Sequence, residues 1–211
     1  MSWWKRLWHG GGEGASPERL RVVRLTMQGW SEESSSGGLR IWRDPQGDVL
    51  SLAIPDGSLG LPSLSDETGL QQWSRSLAES RAAGLIEVRV AVAALGAAVG
   101  LIYKRLEKPA YVFTGMLLVP SQSHVWTVVA GERGTTGVRE AVVTAELMNA
   151  GKLTIQDYER SWARDPYDPE YRRADRSVLR FISDDECYDE SFPEHPLSKI
   201  RRVLATLPNS V

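Results

Sequence analysis

The sequence predicts an α+β fold: an antiparallel sheet meander with helices packed on one face and a C-terminal extension that wraps the other face or an edge. Three observations carry this. Strand-like apolar runs follow one another from Gly84 to Gly131, and Ile86, Val88, Val90 and Val92 alternate with Glu87 and Arg89 at period two. The joints between those runs, at Gly96, Lys108-Pro109 and Pro120 to Ser123, are short, and parallel neighbours would need long crossovers. Helical patterns bound the block on both sides.

Taken in order, residues 2–9 read as a short amphipathic helix. Trp3, Trp4, Leu7 and Trp8 fall on one face, with Lys5 and Arg6 opposite. Gly10, Gly11, Gly12 and Gly14 form a tether. Leu20 to Met27 reads as a strand, and the polar stretch Ser31 to Gly38 as a loop. Leu39–Arg43 and Val49–Ile54 form a hairpin around Asp44-Pro45-Gln46-Gly47-Asp48, because Pro45 presets a turn and Gly47 permits positive φ. Ser65 caps a helix over 66–83, in which Leu70, Trp73 and Leu77 share a face and which Gly84 ends. Strands follow near 85–94, 98–106, 110–119 and 124–131. Thr136 is placed to cap a helix over 138–150, with Gly151 after it as a C′ residue.

Beyond that, Thr154 and Asp157 resemble a capping pair for a helix over 155–163. Residues 164–173, with Pro166 and Pro169, are irregular, and Ser177 to Ile182 reads as a last strand. Ser183 and Glu186 fit a capping box that opens a short acidic helix. Pro196 starts the final helix, with Leu197, Ile200, Leu204 and Leu207 on one face. The organisation expected is therefore an N-terminal segment and tether over 1–18, a core domain over 19–151 and a packed extension over 152–211.

Composition narrows the function. The chain has 211 residues, 42% of them hydrophobic and 25% charged, with a formal charge of −2. That is ordinary for a soluble globular protein and supplies no field to recruit nucleic acid. Its one cysteine, Cys187, cannot form an intramolecular disulfide, which is compatible with a cytoplasmic setting. Glycines follow Lys5 and Arg6 where a secretory signal would be apolar. The longest apolar run, Val90 to Tyr103, falls short of the roughly 20 residues that a spanning helix needs.

No catalytic, metal or nucleotide motif stands out. His9, His124 and His195 form no spaced pair. Cys187 sits among Asp184, Asp185, Glu186, Asp189 and Glu190, which suppress a thiolate, so it reads as a partly buried structural residue. The acidic run from Asp184 to Glu194 lacks the central glycine and alternating ligands of a calcium loop and reads as a solvated helix start. Gly131 to Gly137 lacks the lysine of a Walker loop, although it is the best small-anion candidate. No cofactor is implied.

The element order strand, hairpin, helix, antiparallel meander, helix over about residues 20–150 resembles the PsbP-like class of α/β sandwiches. That class includes the bacterial DcrB-like proteins and cytoplasmic chaperones of type VI secretion effectors. It carries no catalytic residues to transfer. The tail Ser183 to Leu204, SDDECYDESFPEHPLSKIRRVL, resembles a group of bacterial proteins without an assigned activity, through a YDxxFPxHPLSxxR pattern. So do Tyr103 to Gly115 and Gly131 to Val143.

One feature points to binding. Tyr111, Phe113, Leu117 and Val119 lie on one strand face, and Val112, Met116 and Leu118 on the other. Trp126, Val128 and Ala130 oppose Val125 and Val129. Both sheet faces are apolar, where one wet face would alternate. Helices 66–83 and 138–150 can cover one; the tail or a partner must cover the second. The reading that follows is a non-catalytic cytoplasmic module (adaptor, chaperone-like or immunity-like) that holds an apolar segment of another protein on its sheet or beneath its tail. Phe113, Met116, Leu118 and Trp126 are the contact candidates. Two alternatives stand beside it: an enzyme with acids, arginines and His195 of 165–202 lining a cleft, and a peripheral membrane protein anchored through Trp3, Trp4 and Trp8.

Overall fold

A computed structural model describes residues 25, 27–36, 38–55, 57–93 and 96–207. The candidate membrane contacts Trp3, Trp4 and Trp8 therefore lie outside the described residues, as does most of the strand expected over 20–27. The apolar alternations become a seven-stranded sheet formed by β1 (Ser31–Ser36), β2 (Leu39–Arg43), β3 (Val49–Ala53), β4 (Gly84–Ala93), β5 (Gly96–Glu107), β6 (Ala110–Val119) and β7 (His124–Gly131). Every neighbouring pair is antiparallel, in the order β1-β2-β3-β7-β6-β5-β4. The meander from β4 to β7 and the β2–β3 hairpin match the sequence reading. In the hairpin turn the Gly47 N–H donates to Asp44 O, with Gly47 at φ 85°.

The polar stretch after Trp30 is a strand and not a loop. An edge strand needs no apolar side chains, and β1 is held by its ladder to β2 and by the cross-strand pairs Glu32–Arg40 and Glu33–Arg43.

Four helices accompany the sheet in the described residues: α1 (Glu67–Glu79), between β3 and β4, and, after β7, α2 (Val138–Asn149), α3 (Ile155–Ser161) and α4 (Pro196–Thr206). Asp66, one residue later than expected, caps α1 by accepting the Gly69 N–H. Gly84 does not end that helix. Ala82 takes the left-handed turn, at φ 52°, and Gly84 opens β4. A Cβ on Gly84 would collide with the Val178 carbonyl, so the glycine serves the close approach of the tail. The expected Thr154–Asp157 capping box is present at α3, and Gly151 closes α2 at φ 66°.

Each sheet face is covered by the chain itself. On one, α1 sets Leu70 and Ala78 against Leu85, Leu101, Tyr103, Met116 and Leu118. On the other, α4 sets Leu197, Ile200, Val203 and Leu207 against Ile102, Phe113, Leu117, Trp126 and Val128. Gly115 makes room for α4: a Cβ there would meet Ile200 Cγ2, with Leu204 Cδ1 at 3.0 Å. Helix α2 does not join α1 as expected. Its Val143 packs with Leu153, Trp162, Leu179 and Phe181 in a third core, because the extension between α3 and α4 lies against it.

The extension is less regular than its sequence suggests. The strand expected over 177–182 shrinks to β9 (Arg180–Phe181), paired with β8 (Ala163–Arg164). The acidic helix is replaced by 3-10 turns at Ile182–Asp184 and Glu186–Tyr188, the second capped by Asp185. Among the described residues, no helix is long and apolar enough to cross a membrane.

Candidate functional site

The tail motif is an ionic clasp. Lys104 stands on the apolar face of β5, in line with Ala98 and Ile102, and its side chain is 1% exposed. Its Nζ donates to Asp184 Oδ2 at 2.5 Å and lies 3.1 Å from the centre of the Phe181 ring. The same carboxylate oxygen accepts the Phe181 N–H at 2.8 Å. Burial pushes the lysine below its usual pKa, against the pull of Asp184. So Asp184 is a buried counter-ion, and the solvated helix start expected from the acidic run is corrected.

Two arginines complete the clasp. Arg139, on α2, is buried and donates to Ser183 O at 2.6 Å, Ser198 Oγ at 2.8 Å, Asp185 O at 2.8 Å and Asp189 Oδ1 at 3.0 Å. Arg201, on α4, joins Glu87 of β4 at 2.8 Å to Asp189 at 3.0 Å and donates to Asp184 O at 2.7 Å. Lys199 reaches Asp44 and Asp48 of the hairpin turn, and Arg133 also reaches Asp48. The sequence shows Arg201 and the acidic run Asp184 to Glu194 within one tail. It hid the role of Lys104, whose one signal is a lysine in an otherwise apolar strand face.

The polar cleft expected over 165–202 divides in two. One cleft, of about 390 Å³, is lined by Asp48, Glu132, Arg133, Thr135, His195 and Lys199, among others. His195 is the N-cap of α4: its Nδ1 accepts the Leu197 N–H at 3.2 Å, which assigns the ring proton to Nε2. Nε2 lies 3.7 Å from Glu132 Oε1. The ring's one free lone pair is thus spent on a helix cap, a structural use that leaves none for abstracting a proton.

Glu132 also settles the glycine loop. It accepts the Tyr111 and Gly137 N–H groups, both at 3.0 Å. Gly137, at φ 72°, is the N-cap of α2, and Thr136 makes no cap bond there. The chain's own carboxylate occupies the position where an anion was the best small-ligand candidate. Burial opposes its charge, but His195 and the two N–H groups outweigh that, so its pKa lies below the usual value.

The other cleft, of about 610 Å³, is lined by Trp162, Asp165, Arg180, Asp185, Cys187 and Tyr188, among others. Asp165 is held by Arg75 at 2.8 and 2.9 Å and by the Tyr167 and Asp168 N–H groups, so its oxygens are committed. Cys187 is exposed, not partly buried. Burial of its thiol, slight as it is, and Asp185 raise its pKa, as its acidic neighbours imply. Among the described residues, no group of three or more His, Cys, Asp or Glu side chains could hold a metal ion.

A third depression differs in character. It is a groove of about 770 Å³ between the outer end of α4 and the β4–β5 end of the sheet. Ala91, Gly100, Ile102, Leu117, Leu204 and Ala205 form its apolar surface, and Glu87, Arg89, Glu186, Glu190 and Arg202 stand around it. Gly100 keeps it open: a Cβ there would find only Arg89 O, at 3.9 Å. The four contact candidates from the sequence are elsewhere. Phe113 (2% exposed) and Trp126 (0%) lie under α4, and Met116 (8%) and Leu118 (3%) in the α1 core. Compared with protein-family models and with curated proteins, the sequence matches none of them.

Proposed function

We propose that this chain is a non-catalytic protein-binding module whose groove beneath α4 receives an apolar segment of another protein. The observation that carries the reading is the groove itself: small and aliphatic residues from three strands and a helix, left open by Gly100 and bordered by charges of both signs. Such a site suits a polypeptide, with apolar side chains inside and a polar rim setting orientation. The core residues first considered for contact serve the fold, so the binding surface moves to Ala91, Leu204 and Ala205.

The PsbP-like resemblance agrees with a binding role, and a cytoplasmic adaptor or chaperone-like factor is the setting it suggests. The committed hydrogen bonds of His195 and Asp165 favour this reading over an enzyme built on the polar clefts. Ala205 is exposed, so Ala205→Glu places a charge in the groove without touching a core. Affinity capture from the native host should recover a stoichiometric protein with the wild type, lose it with Ala205→Glu and keep it with Ile155→Glu, an exposed α3 position outside the groove lining. Equal recovery with all three would discard the groove.

A further inference from the structure

Among the described residues, the β4 edge of the sheet is covered along only part of its length. At Val88 the strand's outward-facing groups are plugged by one side chain: the Val88 N–H donates to the Tyr167 hydroxyl at 2.7 Å, and that hydroxyl donates back to Val88 O at 3.1 Å. Arg173 similarly takes Ala83 O at 2.5 Å. The β4–β5 register is regular from Glu87 to Ala93. Outward groups alternate along a strand, so those of Val90 and Val92 also face away from β5. Among the described residues nothing pairs with them, and the Val90 side chain is 46% exposed.

We infer that a second copy of this chain covers the edge, β4 pairing antiparallel with its counterpart across a two-fold axis at Ala91. The register follows from the strand. Outward groups must meet outward groups, which excludes registers that pair Val90 with Ala91. Centring on Val90 would require Val88, which Tyr167 has taken. Centring on Ala91 places Val90 opposite the partner's Val92, so each donates and accepts across the axis. It places Arg89 opposite the partner's Ala93, so no like charges face each other. The plugged Val88 then falls past the end of the partner strand, and the free length of the edge matches itself. Such an isologous pairing extends the sheet and satisfies an edge that is otherwise open to aggregation. The axis stands perpendicular to the sheet, so the two grooves open on the same side.

Ala91 meets its own counterpart in this register alone, and it is exposed. Sedimentation velocity of the full chain over a range of concentrations should show a monomer–dimer equilibrium. Ala91→Lys and Ala91→Glu should each raise the dissociation constant at least about tenfold through like-charge repulsion at the axis. Mixing the two variants should restore the dimer. Amide exchange at Val90 and Val92 should slow as the wild-type dimer forms. A monomer at all concentrations, a dimer indifferent to both charges, or no rescue on mixing would each overturn the inference.

Discussion

A lysine ammonium on an apolar strand face needs a fixed counter-charge, and Asp184 supplies it from a tail eighty positions away in sequence. Removing one member of a buried pair strands the other, which costs about 3–5 kcal/mol. Asp184→Asn should therefore lower stability by that amount in urea unfolding. Lys104→Met combined with Asp184→Asn should recover most of the loss, since a neutral pair leaves no buried charge without its counter-ion. A double variant as unstable as the single would show that the loss does not come from the stranded Lys104 ammonium. Glu132 gives a pH signature. Its folded pKa lies below the 4.5 of the free group, so its contribution is complete above about pH 4.5 and is lost as pH falls through the folded value. Glu132→Gln should be less stable at pH 7 and should lose less further stability between pH 5 and pH 3. An acid limb as steep as the wild type's would assign the pH dependence to other carboxylates.

At the scale of elements, legibility follows locality. The meander, the hairpin turn and the Thr154 capping box are set by neighbours within a few residues, and each stands where its sequence signal lies. The misreadings share a cause: hydrogen-bond and charge partners, near or far in sequence, that hydrophobic periodicity does not encode. Polar β1 is a strand because β2 offers it a ladder and two arginines. Thr136 yields its cap role to Glu132, and the acidic run near 184 folds into tight turns because Lys104, Arg139 and Arg201 claim its oxygens. The groove was illegible in sequence, because its surface comes from β4, β5, β6 and α4, which no periodicity places together. Two glycines make the point testable. Gly115→Ala and Gly84→Ala add a methyl where α4 and the tail already touch the sheet, and each should cost about 1–3 kcal/mol. Gly134→Ala, whose Cβ meets nothing within 4 Å but whose φ is 68°, isolates the backbone cost alone. Thermal unfolding of the three separates close packing from left-handed strain: Gly84 and Gly115 carry no positive φ, so an unchanged melting temperature in either variant would mean that packing against Val178 or α4 gives way without cost.

For the whole molecule, the tail is part of the core and not an appendage. Helix α4 supplies Leu197, Ile200, Val203 and Leu207 to the face that holds Trp126 and Phe113. Asp184 neutralises Lys104, Tyr167 plugs the β4 edge, and Asp165 anchors Arg75 of α1. A chain cut after Gly151 would expose that apolar face and leave a buried-site lysine without its acid, both heavily unfavourable. The expected outcome is a protein that binds a hydrophobic dye, keeps far-ultraviolet ellipticity and lacks a cooperative melting transition. A cooperative transition near the wild-type temperature would mean instead that residues 19–151 form an independent domain on which the extension merely docks. The same logic governs how a groove partner acts. The groove lies where α4 meets the sheet beside the Arg201–Glu87–Asp189 junction, so an occupant that inserts apolar side chains there buttresses the contact between tail and sheet. Ligand bound only to the folded state stabilises it by mass action. A true groove partner should therefore raise the melting temperature as the logarithm of its concentration once it exceeds the dissociation constant, and Ala205→Glu should abolish that rise while leaving the melting temperature of the free chain unchanged.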